Sequence, residues 1–309
     1  MIMDGKSIQL PRAYMSPSET RRNNGRITDL ASLFLNFSAD SIDISVVDEI
    51  ASSCGVDRKY AYAELFAARF GIDSEGADRA FFRNYVLPMV NCLDAEEFRA
   101  DAYYKNIEIP DATLGKWELK REILKSGEAF VCRDFLVPDD GRLIPQIGFF
   151  TEPFDFPAVL EGGREWMTLM PNETVTIAPA IERARGKVLT YGLGLGYFAY
   201  HASMKDSVTS VTVVELDPDV IKLFETFILP QFPNRDKIRI VCADAFDYAE
   251  KRAPDERYDL IFSDFWHDAG DGRDLYLKMK EYEKFSPQSE HAYWLEDTIN
   301  CYLDRSLWP

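Results

Sequence analysis

Histidine is scarce in this chain, with three residues in 309. The five cysteines (Cys54, Cys92, Cys132, Cys242 and Cys301) are scattered, with no C-x-x-C pair among them. Together these leave little from which to build a zinc or other transition-metal centre, and no metal site is expected. Unpaired thiols of this kind read as reduced, which fits a cytoplasmic protein. Also missing is any apolar run near the roughly 20 residues of a membrane span, and the N-terminus has no signal-peptide core. Basic residues are in deficit: 35 Lys and Arg stand against 52 Asp and Glu, for a net charge of −17. Such a surface repels phosphate backbones, so the expected partner is a small molecule, with neither nucleic acid nor membrane in view. What the chain does have is 46% hydrophobic and 13% aromatic residues, enough for a sizeable core and two domains.

One stretch organises the rest. Residues 187–191 read as a short buried strand, Gly192, Gly194 and Gly196 follow at every second position, and Tyr197 to Ala202 reads as the start of a helix. A strand, a glycine turn and a helix form a nucleotide-binding corner, where a ligand lies against main chain near the positive end of the helix. The third glycine comes one residue earlier than in the dinucleotide pattern G-x-G-x-x-G, and Tyr197 occupies the place that a pyrophosphate needs. The loop therefore suits a ligand without a pyrophosphate. Three further apolar runs end in acids: 210–214 at Glu215, 238–242 just before Asp244, and 258–263 at Asp264. Open α/β sheets bind ligands at such strand ends, although a single acid there serves equally well as a cap for the next helix.

Residues 172–268 resemble a class I S-adenosylmethionine-dependent methyltransferase, and the run Val211 to Ile221 is similar to the spermidine synthase-like branch. The resemblance implies S-adenosyl-L-methionine as cofactor, with Tyr191, Gly192, Leu193, Gly194 and Gly196 around its methionine part. It implies that Glu215 holds the ribose, that Leu216 and Asp217 lie beside the adenine, and that Asp244 bonds the adenine amino group with Ala245 next to it. Asp264 would face the ammonium or the substrate and is a candidate catalytic residue; in the loop after it, His267 or Asp268 is the candidate general base, read from the residues themselves. Where the family carries an acid two residues before the first glycine, this chain has Thr190, so another acid must answer the ligand's ammonium. Phe265 and Trp266 also depart from the small hydroxyl residues that follow this aspartate in spermidine synthases.

The remaining organisation is read from pattern. Residues 1–26, with the Arg21–Arg26 cluster, read as a flexible arm, and 27–100 as a helical domain. Within it, 47–56 resembles a helix-turn-helix whose acidic surroundings argue for packing or dimerisation over DNA binding. Residues 101–165 read as a small β-rich linking unit, with strands over 128–137 and 143–150 around a turn at 138–141. Asn172 is placed as the cap of a helix running to about Arg185, with Glu165, Trp166 and Glu173 approaching the ligand from that side. Residues 166–309 form the expected Rossmann-like domain. Only 45 residues follow Asp264, so the doubly wound sheet is expected to hold about five strands and to lack a closing hairpin. The exposed edge would be covered by the bundle or by a homodimer.

The expected function is methyl transfer from S-adenosylmethionine to an unidentified small-molecule nucleophile. Two alternatives accompany it: spermidine synthase-like aminopropyl transfer from decarboxylated S-adenosylmethionine, and non-catalytic S-adenosylmethionine binding.

Overall fold

The computed structural model describes residues 15–36 and 42–309, so the first part of the expected arm, Pro11 included, lies outside the described residues. The N-terminal elements are α1 (Pro17–Asn36), α2 (Ile44–Cys54), α3 (Arg58–Arg69), α4 (Arg79–Phe81), α5 (Leu87–Met89), β1 (Val90–Leu93), α6 (Ala95–Arg99) and α7 (Ala102–Asn106). The middle of the chain is strand-rich: β2 (Ala112–Leu114), β3 (Trp117–Leu124), β4 (Phe130–Val131), β5 (Ile147–Phe150), β6 (Phe154–Glu161) and β7 (Arg164–Thr168). An alternating series follows: α8 (Pro171–Arg183), β8 (Gly186–Tyr191), α9 (Tyr197–Met204), β9 (Val208–Glu215), α10 (Pro218–Leu223), β10 (Ile238–Cys242), α11 (Ala245–Lys251) and α12 (Ala253–Glu256). The series closes with β11 (Leu260–Ser263), α13 (Ala269–Tyr282), β12 (Glu290–Tyr293) and α14 (Glu296–Leu303).

These elements form two units, neither continuous in sequence. One takes the described residues up to Glu96 with 123–154 and 300–309; the other takes 97–122 and 155–299. This differs from the expected linear order of arm, bundle, β-rich unit and sheet domain. The β-rich stretch does not stand alone. Strands β4 and β5 join β1 in a three-stranded sheet, while β2, β3, β6 and β7 form a separate four-stranded one. The physical reason lies in the helical core, which extends beyond residue 100 to take in Ala129, Ile144, Ile147 and Phe149. Tyr62 of α3 stacks on Phe149 of β5 with ring centroids 4.0 Å apart.

The arm is also revised from Pro17 onward, because α1 starts there and not near residue 27. Its buried stripe runs Thr20, Asn24, Ile27, Ala31, Phe34, a helical spacing whose first members are polar and so escape an apolar-periodicity reading. Asn24 is 0% exposed. Its amide nitrogen donates to the carbonyls of Gly141 at 3.0 Å and Leu307 at 2.8 Å, and its oxygen accepts from Leu143 N at 2.9 Å and the Tyr85 hydroxyl at 3.2 Å. One side chain thus satisfies groups from three separated segments. The helix-turn-helix stretch is the pair α2 and α3, joined through Gly55 in the left-handed conformation (φ 69°) and capped by Asp57.

The second unit holds the expected sheet. Its five strands lie in the order β10-β9-β8-β11-β12 and every neighbouring pair is parallel. The chain runs outward from β8 to β10, then returns to the other side of β8 with β11, which makes a doubly wound, Rossmann-like topology with its switch point between β8 and β11. Among the described residues no antiparallel strand closes this sheet. Strand β8 is buried from Val188 to Tyr191, as a central parallel strand must be. Helix α8 begins at Pro171 with Met170 as N-cap, not with Asn172 capping, because proline's missing N–H and fixed φ suit the first helical position.

Replacing Asn24 with alanine should lower the stability of the first unit by roughly 2–4 kcal/mol, since each buried partner left unmatched costs about 1–3 kcal/mol. Urea unfolding followed by near-ultraviolet circular dichroism measures this; a change within error would show that the amide network is not load-sharing.

Candidate functional site

A cavity of about 480 Å³ opens at the carboxyl ends of the parallel strands. It is bordered by the loop after β8, the ends of β9, β10 and β11, the start of β3, the end of β7 and the first turns of α8. The volume lies within the range that binds small molecules and cofactors.

The loop after β8 is shaped by backbone geometry. Gly192, Gly194 and Gly196 all have positive φ, at 96°, 49° and 75°. A β-carbon on Gly192 would collide with the backbone carbonyl of Asp264, so the end of β8 lies directly against the end of β11. A β-carbon on Gly194 would strike the sulfur of Met167, which also accepts the Leu195 N–H at 3.0 Å. The obstacle at Gly194 is therefore a side chain of β7 that packs on the loop.

Most of the expected site residues face this cavity: Gly192, Leu193 and Gly194 from the loop, and Glu215, Leu216 and Asp217 from the end of β9. Asp244, Ala245, Asp264 and His267 join them. Tyr191 and Gly196 stand outside it. Tyr191 is buried with its ring edge-on to those of Tyr248 and Phe265, because alternation along β8 turns it away from Thr190, which does line the cavity. Gly196 caps α9, and Phe224 and Phe232 occupy the space beside it.

The strand-end acids differ in their partners. Glu215 accepts Leu193 N at 3.2 Å with one oxygen and Asp217 N at 2.9 Å with the other, so its carboxylate is fixed against the glycine loop. Burial raises its pKa, and these backbone donors work against that rise. Asp244 caps α11 by accepting Asp247 N at 2.9 Å, and Asp217 caps α10 by accepting Asp219 N at 2.9 Å. The side chain of Asp264 accepts no hydrogen bond from any described residue, and burial pushes its pKa up to about 7. Glu173, in the first turn of α8, is 8% exposed and reaches the same cavity. Its pKa is raised by burial first and by the charge of Asp264 second.

The roof is aromatic. Trp117 of β3 meets Trp166 of β7 edge-on at 5.8 Å, Trp294 donates its indole N–H to Thr176 at 2.8 Å, and Trp266 is buried at the rim. Lys116 lies over the Trp117 ring at 5.0 Å, bonded to Glu161 at 2.5 Å and 3.6 Å from Asp217. Sequence reasoning missed Lys116, Trp117 and Met167, which come from a different sheet and carry no local motif. Glu173 and Trp166 were anticipated on this side; Glu165 contributes only its carbonyl, 3.1 Å from His267 Nε2. His267 lies at the exposed mouth, its other ring nitrogen 3.5 Å from Asp268. Asp268 itself caps α13 in a capping box with Asp271.

No family model matches the sequence, and no curated protein matches it. Among solved structures, the spermidine synthase of Thermotoga maritima aligns at 19% identity with a TM-score of 0.33, covering 44% of this chain and 50% of that one. A spermidine synthase in complex with the transition-state analogue AdoDATO aligns at 20% identity with a TM-score of 0.33, covering 44% of this chain and 49% of that one. The chain thus spans about half the length of each structure it resembles.

A carboxyl group whose folded-state pKa is raised contributes stability at low pH that fades as the pH climbs from the unfolded value through the folded one. For Asp264 that window runs from 3.8 to about 7. Asp264→Asn, which cannot ionise, should therefore gain thermal stability relative to the parent as the pH rises through this window, with the gap levelling off above it. Melting temperatures at pH 4, 6 and 8 measure this, and a gap independent of pH would contradict the burial of this carboxyl.

Proposed function

We propose that the protein is an S-adenosylmethionine-dependent transferase, with methyl transfer to a small-molecule nucleophile as the leading reading. The observation that carries it is the meeting of the glycine loop, the fixed Glu215 carboxylate and the unpaired Asp264 carboxyl in one cavity at the switch point of the sheet. The groups fit such a ligand. Glu215 presents its carboxylate at the end of β9, where a ribose diol can donate to it, and the positive-φ loop leaves main chain open to the ligand. When bound, S-adenosylmethionine supplies an electrophilic carbon on its sulfonium. The chain's own residues then align and desolvate. Trp117, Trp166 and Trp294 exclude water, and Asp264, titrating near 7, can orient an incoming nucleophile and take its proton.

Aminopropyl transfer from decarboxylated S-adenosylmethionine is favoured by a specific observation. Among the described residues lining the cavity, the basic side chains are Lys116, already engaged by Glu161 and Asp217, and His267 at the mouth. That lining offers little to a ligand carboxylate and much to an amine.

Calorimetry with S-adenosylmethionine, S-adenosylhomocysteine and NADH tests the common reading: the first two should bind and NADH should not. Glu215→Ala should weaken binding by roughly 1.5–3 kcal/mol through loss of charge-assisted bonds. An unchanged dissociation constant in a folded variant sinks the assignment. Turnover with the carboxylated or the decarboxylated cofactor then separates methyl from aminopropyl transfer.

A further inference from the structure

We infer that Met167 is a stopper in the glycine loop that decides which ligand chains the loop admits. Its thioether fills the space over Gly194 and holds the Leu195 amide, and a ligand chain running along the loop must displace it. The inference deepens the proposed function and rests on it in taking the ligand to be an adenosyl sulfur compound.

The contact is close along the whole side chain. A β-carbon on Gly194 would lie 2.3 Å from Met167 Sδ, 3.1 Å from its Cε and 3.5 Å from its Cγ. The main chain that a glycine offers to a ligand is therefore covered by protein at this point of the loop. The same sulfur accepts the Leu195 N–H at 3.0 Å. Neighbouring amides of the loop have oxygen partners: Gly192 N donates to the Val214 carbonyl at 2.9 Å, Leu193 N to the Glu215 carboxylate at 3.2 Å, and Gly196 N to the Leu193 carbonyl at 2.8 Å. A thioether is a weak acceptor beside any of these. The Leu195 carbonyl accepts the hydroxyl of buried Tyr103 at 2.5 Å, which anchors the residue from its other side. A well-placed amide with a soft partner is one that a ligand oxygen can take over at little cost.

The side chain is free to move where the strand is not. Met167 pairs with Val159 of β6, Leu169 N donates to the Pro157 carbonyl at 2.9 Å, and Tyr104 donates its hydroxyl to the Leu169 carbonyl. Met167 itself is partly buried and lines the cavity, and its unbranched, rotatable chain can turn the thioether into that space. Selectivity then follows from reach. A sulfur substituent that stops short of Gly194 leaves Met167 in place. A longer one lies on the loop after displacing the thioether, and it recovers the Leu195 bond when it brings an oxygen. One non-covalent contact replaces another, and no covalent bond changes.

Two probes differ in this reach: 5′-methylthioadenosine carries a methyl group on sulfur, and S-adenosylhomocysteine carries a full amino-acid chain. In calorimetry, Met167→Ala should bind S-adenosylhomocysteine ~3- to 10-fold more tightly than the parent and 5′-methylthioadenosine within about twofold. In protein labelled at its eight methionine methyls, Met167→Leu identifies the Met167 signal. S-adenosylhomocysteine should shift that signal and 5′-methylthioadenosine should leave it in place. The inference is overturned, with the transferase reading intact, by any of three results: S-adenosylhomocysteine affinity unchanged or weaker in folded Met167→Ala, equal changes for both probes, or a Met167 signal that S-adenosylhomocysteine leaves unmoved. If neither probe binds parent or variant, the transferase reading falls, and amide hydrogen exchange decides the stopper without a ligand. The Leu195 N–H should then exchange ~10-fold or more faster in Met167→Ala than in the parent, with the Gly192 and Gly196 amides unchanged, and equal Leu195 rates overturn the inference.

Discussion

The second unit depends on a contact with no side chain in it. The end of β8 lies against the end of β11 closely enough that a β-carbon on Gly192 would overlap the carbonyl of Asp264. Only glycine allows this, because it lacks the side chain and tolerates the φ of 96°. The closeness matters because strands leaving a switch point diverge, and the gap between their following loops becomes the cavity. Glu215 reaches that gap from β9 through its bond to Leu193 N, and Asp264 borders it directly. A bulkier residue at 192 would part the two strand ends and separate the groups that border the cavity.

Charge follows from the same geometry. The parallel strands deliver acids to one rim, and their partners decide what each can do. Asp217 and Asp244 are occupied as caps, stabilising the helices that start beside them. Glu215 is held against the glycine loop by two main-chain donors. Asp264 and Glu173 have no such donors, and burial makes each hard to ionise. Acids around one cavity thus differ in how firmly they are held through the number of backbone N–H groups that reach them.

Much of this was legible in the sequence. The glycine spacing located the loop, and the acids ending each apolar run located β9, β10 and β11, because both signals are local and set by backbone requirements. The expected sheet of about five strands matches the five described. Tyr191 and Gly196 do not line the cavity, since alternation along β8 and the capping of α9 turn them elsewhere. The roof was not legible: Lys116 and Trp117 come from the antiparallel sheet, and nothing local ties them to a loop more than 70 residues later. The start of α1 was hidden because Thr20 and Asn24, the first residues of its buried stripe, are polar and matched by partners far away in sequence.

Asn24 has a bearing on how the chain is made. Its amide donates to the carbonyl of Leu307, and residues 300–309 belong to the same unit as α1 to α5. During synthesis the helices emerge first, followed by the whole of the parallel sheet, before the residues that complete the hydrogen bonds of Asn24 exist. The first unit must therefore wait, partly formed and with a buried amide still unmatched, while 145 residues of the other unit (155 to 299) are added. Its final ordering is tied to a segment made after the whole of the parallel sheet, and the long sequence separation of these contacts makes that step slow.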